Sequence, residues 1–212
     1  RSRRQRQMCI RDRSRQPASD LPAFVVNSQT GPAATRTLAI DLTGEVPQYQ
    51  LVDGDGPRLG ESDRGFGYAG SPEWPQLTRA MVASMVSGSA DESVGETLEA
   101  LGVGHVWVRG TSETERIKIA NTPGLSSGSG KDDWHVWTLP GTAARVSVEN
   151  PDRTSVVVPS DGRRGEIVLD EPTEGRRLLI SEPHDRRWRI TLDDAVLNLS
   201  LIHISEPTRL LS

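Results

Sequence analysis

The sequence predicts an α+β fold, a small α/β layer followed by an antiparallel β-sandwich, and two observations carry that expectation. Through the first half, apolar residues recur three and four apart and lead into a β-branched run, the pattern of helices packed on a buried strand. In the second half the central apolar residues Val146, Val156, Ile167, Leu178 and Ile190 recur every 10 to 12 residues between turn formers, as in a sandwich.

The first observation centres on LEALGVGHVWVRG, Leu98 to Gly110. Val94, Leu98 and Leu101 share one helical face, and Gly102 suits the left-handed position that ends a helix. GHVWV then runs on as a buried strand, with Val103 packing back on Leu98.

The two ends read differently from the middle. Arg3 to Arg13, RRQRQMCIRDR, is the translation of one end of a transposase-type sequencing adapter, and Leu199 to Arg209, LSLIHISEPTR, is the translation of the opposite end. Residues 1–13 and 199–212 are therefore expected to be adapter-derived and non-native, leaving about Ser14 to Asn198 as an internal piece of a longer gene. Setting aside the five Arg and one Asp of the first adapter takes the formal net charge from -4 to about -8, which argues against a nucleic-acid partner. Cys9 is the chain's one cysteine and lies in the adapter. The remaining segment thus has no disulfide, thiolate metal site or cysteine nucleophile. No apolar run approaches the roughly 18 residues of a membrane span.

Residues 14–35, rich in Pro, Ser, Gln and Ala, read as a linker. Residues 36–140 form the expected α/β subdomain. Within it RTLAIDLT (Arg36 to Thr43) and YQLV (Tyr49 to Val52) are strand candidates, and Asp53-Gly54-Asp55-Gly56 is a turn. After a Gly-rich loop, Ser71-Pro72-Glu73 signals a helix start, and Trp74, Leu77, Met81, Val82, Met85 and Val86 form its apolar stripe. Asp91 caps the next helix. RIKIA (Arg116 to Ala120) alternates like a strand, NTPGLSSGSGKDD reads as a flexible loop, and WHVWTL (Trp134 to Leu139) closes this half. Residues 141–198 are the expected sandwich, built from ARVSVEN, TSVVVPS, GEIVLDE, RRLLISE and RWRITLD.

Several short motifs invite chemical readings. Gly65-Phe66-Gly67-Tyr68-Ala69-Gly70 has the spacing of a dinucleotide fingerprint, yet polar ESDR precedes it instead of a strand, so it reads as a loop. Asp53 and Asp55 make a D-x-D, which could hold a divalent ion against a diphosphate, although D-G pairs are equally turn formers. Gly128-Ser129-Gly130-Lys131 lacks the spacing and the following Ser or Thr of a phosphate loop. Leu139-Pro140-Gly141-Thr142-Ala143 resembles a sortase signal but is followed by strands. His105, His135 and His184 share no metal-ligand spacing, and no G-x-S-x-G elbow is present. No catalytic residue and no cofactor are therefore assigned. Trp134 and Trp137 flank a loop and could stack on a sugar face, with Asp132 or Asp133 bonding to hydroxyls; Trp107 and Trp188 read as core anchors.

The order of segments resembles the C-terminal extracytoplasmic region of actinobacterial multi-span membrane glycosyltransferases of family 2. The resemblance rests on LGVGHVWV (Leu101 to Val108), NTPGL (Asn121 to Leu125), VWTL (Val136 to Leu139) and LLISEPHDRRWRITLDD (Leu178 to Asp194). Arg187 stands where Gly usually precedes Trp188, and Asp194 where Gly follows Asp193. The resemblance implies a non-catalytic, outward-facing module at the extracytoplasmic face of the cell membrane, in an enzyme of cell-envelope polysaccharide synthesis. Its partners would be the transmembrane and transferase parts of the same parent chain, and cell-wall glycan. The alternatives are a secreted β-sandwich glycan-binding module and a structural ectodomain of a membrane protein that transfers no sugar.

Overall fold

Alternating Leu38 and Ile40 make Arg36–Asp41 a strand, β1, that pairs antiparallel with β2 (Gln48–Val52) and parallel with β3 (Val103–Arg109). A parallel join needs a crossover, here supplied by helices α2 (Glu73–Ser87) and α3 (Glu92–Ala100). On its other side β3 pairs antiparallel with β5 (Trp134–Thr138), and β5 with the edge strand β4 (Ser126–Lys131). The sheet order is β2-β1-β3-β5-β4. The computed structural model describes residues 21–52, 73–131, 133–141, 143–161, 165–168, 175–182, 189–192 and 195–197, and the fold is α+β.

One face of the sheet carries the main core. Met81, Val82 and Met85 of α2, Val94 and Leu98 of α3 and Ile119 of α4 (Glu113–Ala120) pack there against Leu38, Ile40, Val106, Val108 and Trp137. The junction of α3 and β3 is built as the residues dictate. Asp91 Oδ1 accepts from Ser93 N at 3.0 Å to cap α3, and Gly102, at φ +68°, donates to Glu99 O at 2.8 Å. Immediately beyond, Arg36 pairs with Val103 but Thr37 with His105, so Gly104 is an extra residue in β3. This bulge resets the alternation and puts Val103 into the same cluster as Val106 and Val108.

The opposite face is covered by α1 (Ala23–Thr30), inside the segment expected to be a linker. Leu21 and fully buried Val25 pack on Ala39, Val52, Trp107 and Val136, while Gln29 Nε2 donates to Thr37 Oγ1 at 2.8 Å and to Val52 O at 3.1 Å. The helix has almost no apolar stripe to announce it. Val25, buried Gln29, the partly buried Val26 and the ring of Phe24 against His105 hold it to the sheet.

Two further expectations are corrected. RIKIA lies in α4, not in a strand: Ser112 Oγ accepts from Glu115 N, and the Glu115 carboxylate accepts from Ser112 N at 2.7 Å, a complete capping box. Ile117 is 56% exposed and Ile119 is fully buried, so their spacing of two marks opposite sides of a helix. The second correction is in NTPGLSSGSGKDD, where Ser126–Lys131 is β4. Its ladder with β5 supplies an order that its Gly- and Ser-rich composition does not favour.

In the second half, β6 (Val146–Glu149) lies between β7 (Ser155–Val157) and β8 (Arg177–Ile180), all antiparallel. A separate pair, β9 (Ile190–Leu192) and β10 (Ala195–Leu197), is also antiparallel. Two facing sheets are not seen among the described residues. Of GEIVLDE, Gly165 makes only an isolated bridge with Ser160, and Val168 is exposed.

The two halves meet at a buried polar node. Arg36 Nη2 lies 2.7 Å from Glu182 Oε1, Arg36 Nη1 donates to Leu101 O at 2.8 Å and to Ser181 O, and Arg145 also pairs with Glu182. Backbone bonds run alongside, from Arg145 N to Ala33 O at 2.9 Å and from Ser181 N to Arg145 O at 2.8 Å. Hydrogen bonds of this kind offset the desolvation of the three charges.

Candidate functional site

Residues paired across a sheet point to the same face. At the end of the sheet where the parallel strands β1 and β3 finish, Gln48, Asp41, Arg109, Trp134 and Lys131 pair in turn, giving one row across all five strands. The row belongs to the face that α1 covers, because Asp41 follows Ala39 at a spacing of two and Trp134 packs against the α1 cluster. In open sheets with parallel strands, the carboxyl ends of those strands are the usual place for ligands.

Asp41 is the best-held residue of the row. Its Oδ1 accepts from Thr43 N at 2.9 Å and Thr43 Oγ1 at 2.6 Å, and its Oδ2 accepts from Arg109 Nη2. Burial acts to raise its pKa, but the hydroxyl and backbone bonds of Thr43 and then Arg109 outweigh this and hold the carboxyl below the usual range. The Asp41 and Arg109 side chains keep 28% and 41% of their surface exposed. Gly110 ties in the β4–β5 turn: at φ +74° it donates to Asp133 O at 2.8 Å, and a Cβ there would fall 2.6 Å from Thr43 Cγ2. Gln48, Lys131 and Asp133 are exposed and Trp134 is half-buried, so a partly open indole is paired with and adjoins polar groups of both signs.

The sequence-predicted residues separate. Trp134 and Asp133 are on this surface. Trp137 is 3% exposed and sits in the main core on the other face, which leaves it no open ring for a ligand. Asp132, Asp53, Asp55, His184 and Trp188 lie outside the described residues, as do the Gly65 to Gly70 motif and the Ser71-Pro72 cap. His105 is buried beneath Phe24, ring centroids 5.6 Å apart, and burial lowers its pKa. His135 faces the helical side with Nε2 3.4 Å from Arg116 Nη1; burial and then the Arg116 charge lower its pKa. The two histidines are thus on opposite faces.

Sequence reasoning missed Gln48, Asp41, Arg109 and Lys131. The period-2 alternation of β1 does place Asp41 away from Leu38 and Ile40, but which strands adjoin β1 is a tertiary fact. Among the described residues no group of three or more His, Cys, Asp or Glu is placed to hold a metal ion, and no helix is long and apolar enough to cross a membrane. No known protein family, curated protein or solved structure matches the chain.

Proposed function

We propose that this chain is a non-catalytic glycan-contacting module, the outward-facing part of a membrane glycosyltransferase of cell-envelope polysaccharide synthesis. The observation that carries the binding part is the pairing of Trp134 with Arg109 at the carboxyl end of the β1–β3 pair, beside Asp133 and Lys131. An indole offers an apolar ring for stacking on a sugar, and amide, ammonium and carboxylate groups around it suit sugar hydroxyls. A catalytic role is disfavoured by Asp41, whose carboxylate is committed to Thr43 and Arg109 and is held ionised. The link to a transferase is supported by the order of LGVGHVWV, NTPGL, VWTL and LLISEPHDRRWRITLDD. That reading gives the module the transmembrane and transferase parts of its parent chain as partners.

Titration of the purified chain with cell-wall oligosaccharides tests the proposal. Weak binding that Trp134→Ala weakens further, by about tenfold, is the expected result, with no turnover of nucleotide-sugar donors in the presence of a divalent metal. Turnover that disappears on Asp53→Ala or Asp55→Ala would overturn it in favour of a metal-assisted transferase.

A further inference from the structure

We infer that the ligand of this surface is an uncharged oligosaccharide laid across the strands, contacting several rings at once; the inference rests on the glycan-contacting reading above. Its basis is the row itself. Gln48, Asp41, Arg109, Trp134 and Lys131 come from five different strands in consecutive pairing, so the contact line runs perpendicular to the strands. With about 4.8 Å between neighbouring strands, the row is about 19 Å long, longer than a single sugar ring. Trp134 lies on the second strand from one edge, flanked by Lys131 on β4 and by Arg109 on β3. Stacking at that point leaves Gln48 and Asp41 to meet rings further along, beyond the reach of a monosaccharide.

The charge along the surface selects the class of sugar. Asp41 neutralises Arg109 through a direct ion pair. Lys131 stands beside Asp133 in the adjoining turn, so Asp41, Arg109, Lys131 and Asp133 together are two cations and two carboxylates, and exposed Glu45 in the β1–β2 loop adds a further carboxylate at this end. A uronic acid or a phosphate-bearing glycan would meet a carboxylate for each cation. A neutral glycan meets only donors and acceptors suited to hydroxyls.

The inference is tested with the whole chain and a length series of gluco-, galacto- and manno-oligosaccharides from one to four rings, with oligogalacturonides as charged comparators. Affinity is expected to climb with length for at least one neutral series and to exceed that for its charged counterpart. Trp134→Ala should weaken the longest ligand about tenfold. Gln48→Ala and Lys131→Ala, both at exposed positions and checked by unchanged thermal midpoints, should each weaken it as well. Trp134-dependent binding that does not change with length would sink the extended row and leave the glycan reading standing. Tighter binding of the charged series would overturn the neutral ligand. No binding by any sugar would overturn the glycan reading, and this inference with it.

Discussion

Arg36 and Glu182, from opposite ends of the described chain, form an ion pair of 2.7 Å with only 6% and 9% of their side-chain surface exposed. Arg145 shares the same carboxylate, so Glu182 lies between two buried guanidiniums. Removing it is expected to cost about 3 to 5 kcal/mol, the effect of taking one partner out of a buried ion pair. Urea unfolding of Glu182→Ala measures this. The pair Arg177 and Glu149 provides the contrast: Arg177 is 63% exposed, and Arg177→Ala is expected to change stability by under about 1 kcal/mol.

Gly102 is expected to resist any side chain. At φ +68° its added Cβ would stand 3.0 Å from Ala144 O and 3.2 Å from Ser181 Cβ, so strain and crowding coincide. Gly102→Ala should lose more than about 1 kcal/mol in a denaturant titration, and a gain in stability would contradict the helix-ending role assigned to it.

The two tryptophans of β5 should behave differently. Trp137→Ala opens a cavity in the main core and is expected to cost about 3 to 5 kcal/mol. Trp134→Ala, at a half-buried position, should cost clearly less while weakening glycan binding about tenfold. Calorimetry on both variants compares them, and equal losses would refute the assignment of the two rings to different faces.

Acid should destabilise the protein before its carboxylates titrate. Burial lowers the pKa of His105 from its ordinary 6.5, and burial and then Arg116 lower that of His135. The unfolded chain then binds protons more readily than the folded one. This contribution is therefore fully present above about pH 6.5 and is lost as pH falls through the lowered folded values. Thermal midpoints taken downward from about pH 7.5 should decline in that window. His105→Phe, which keeps a ring against Phe24, should flatten the decline; an unchanged slope would remove His105 from the account.

The parts of this fold legible in the sequence are those governed by neighbours along the chain. Asp91 and Gly102 bound α3 as their chemistry requires, and the β-branched run from Val103 is the central buried strand. The capping box of Ser112 and Glu115 was equally local, but the alternation of Arg116, Ile117, Lys118 and Ile119 masked it. Helix α1 and strand β4 were not legible, because burial of Val25 beneath the sheet and pairing with β5 hold them, and neither depends on local pattern. The candidate surface divides in the same way. Trp134 and Asp133 stand out by residue type, whereas Asp41, Arg109, Gln48 and Lys131 become one row only once five strands are aligned.

The parallel pairing of β1 with β3 also sets an order of events in folding. These strands are sheet neighbours, yet about 60 residues separate them along the chain, and joining them closes a loop of that length at an entropic cost. The β1–β2 and β4–β5 pairs are short-range and can assemble early, while the centre of the sheet waits for the crossover helices. A chain caught before that docking step carries β1 and β3 as open inner edges, ready to pair with another molecule. Refolding should accordingly be slowed by one long-range event and be prone to aggregation as protein concentration rises.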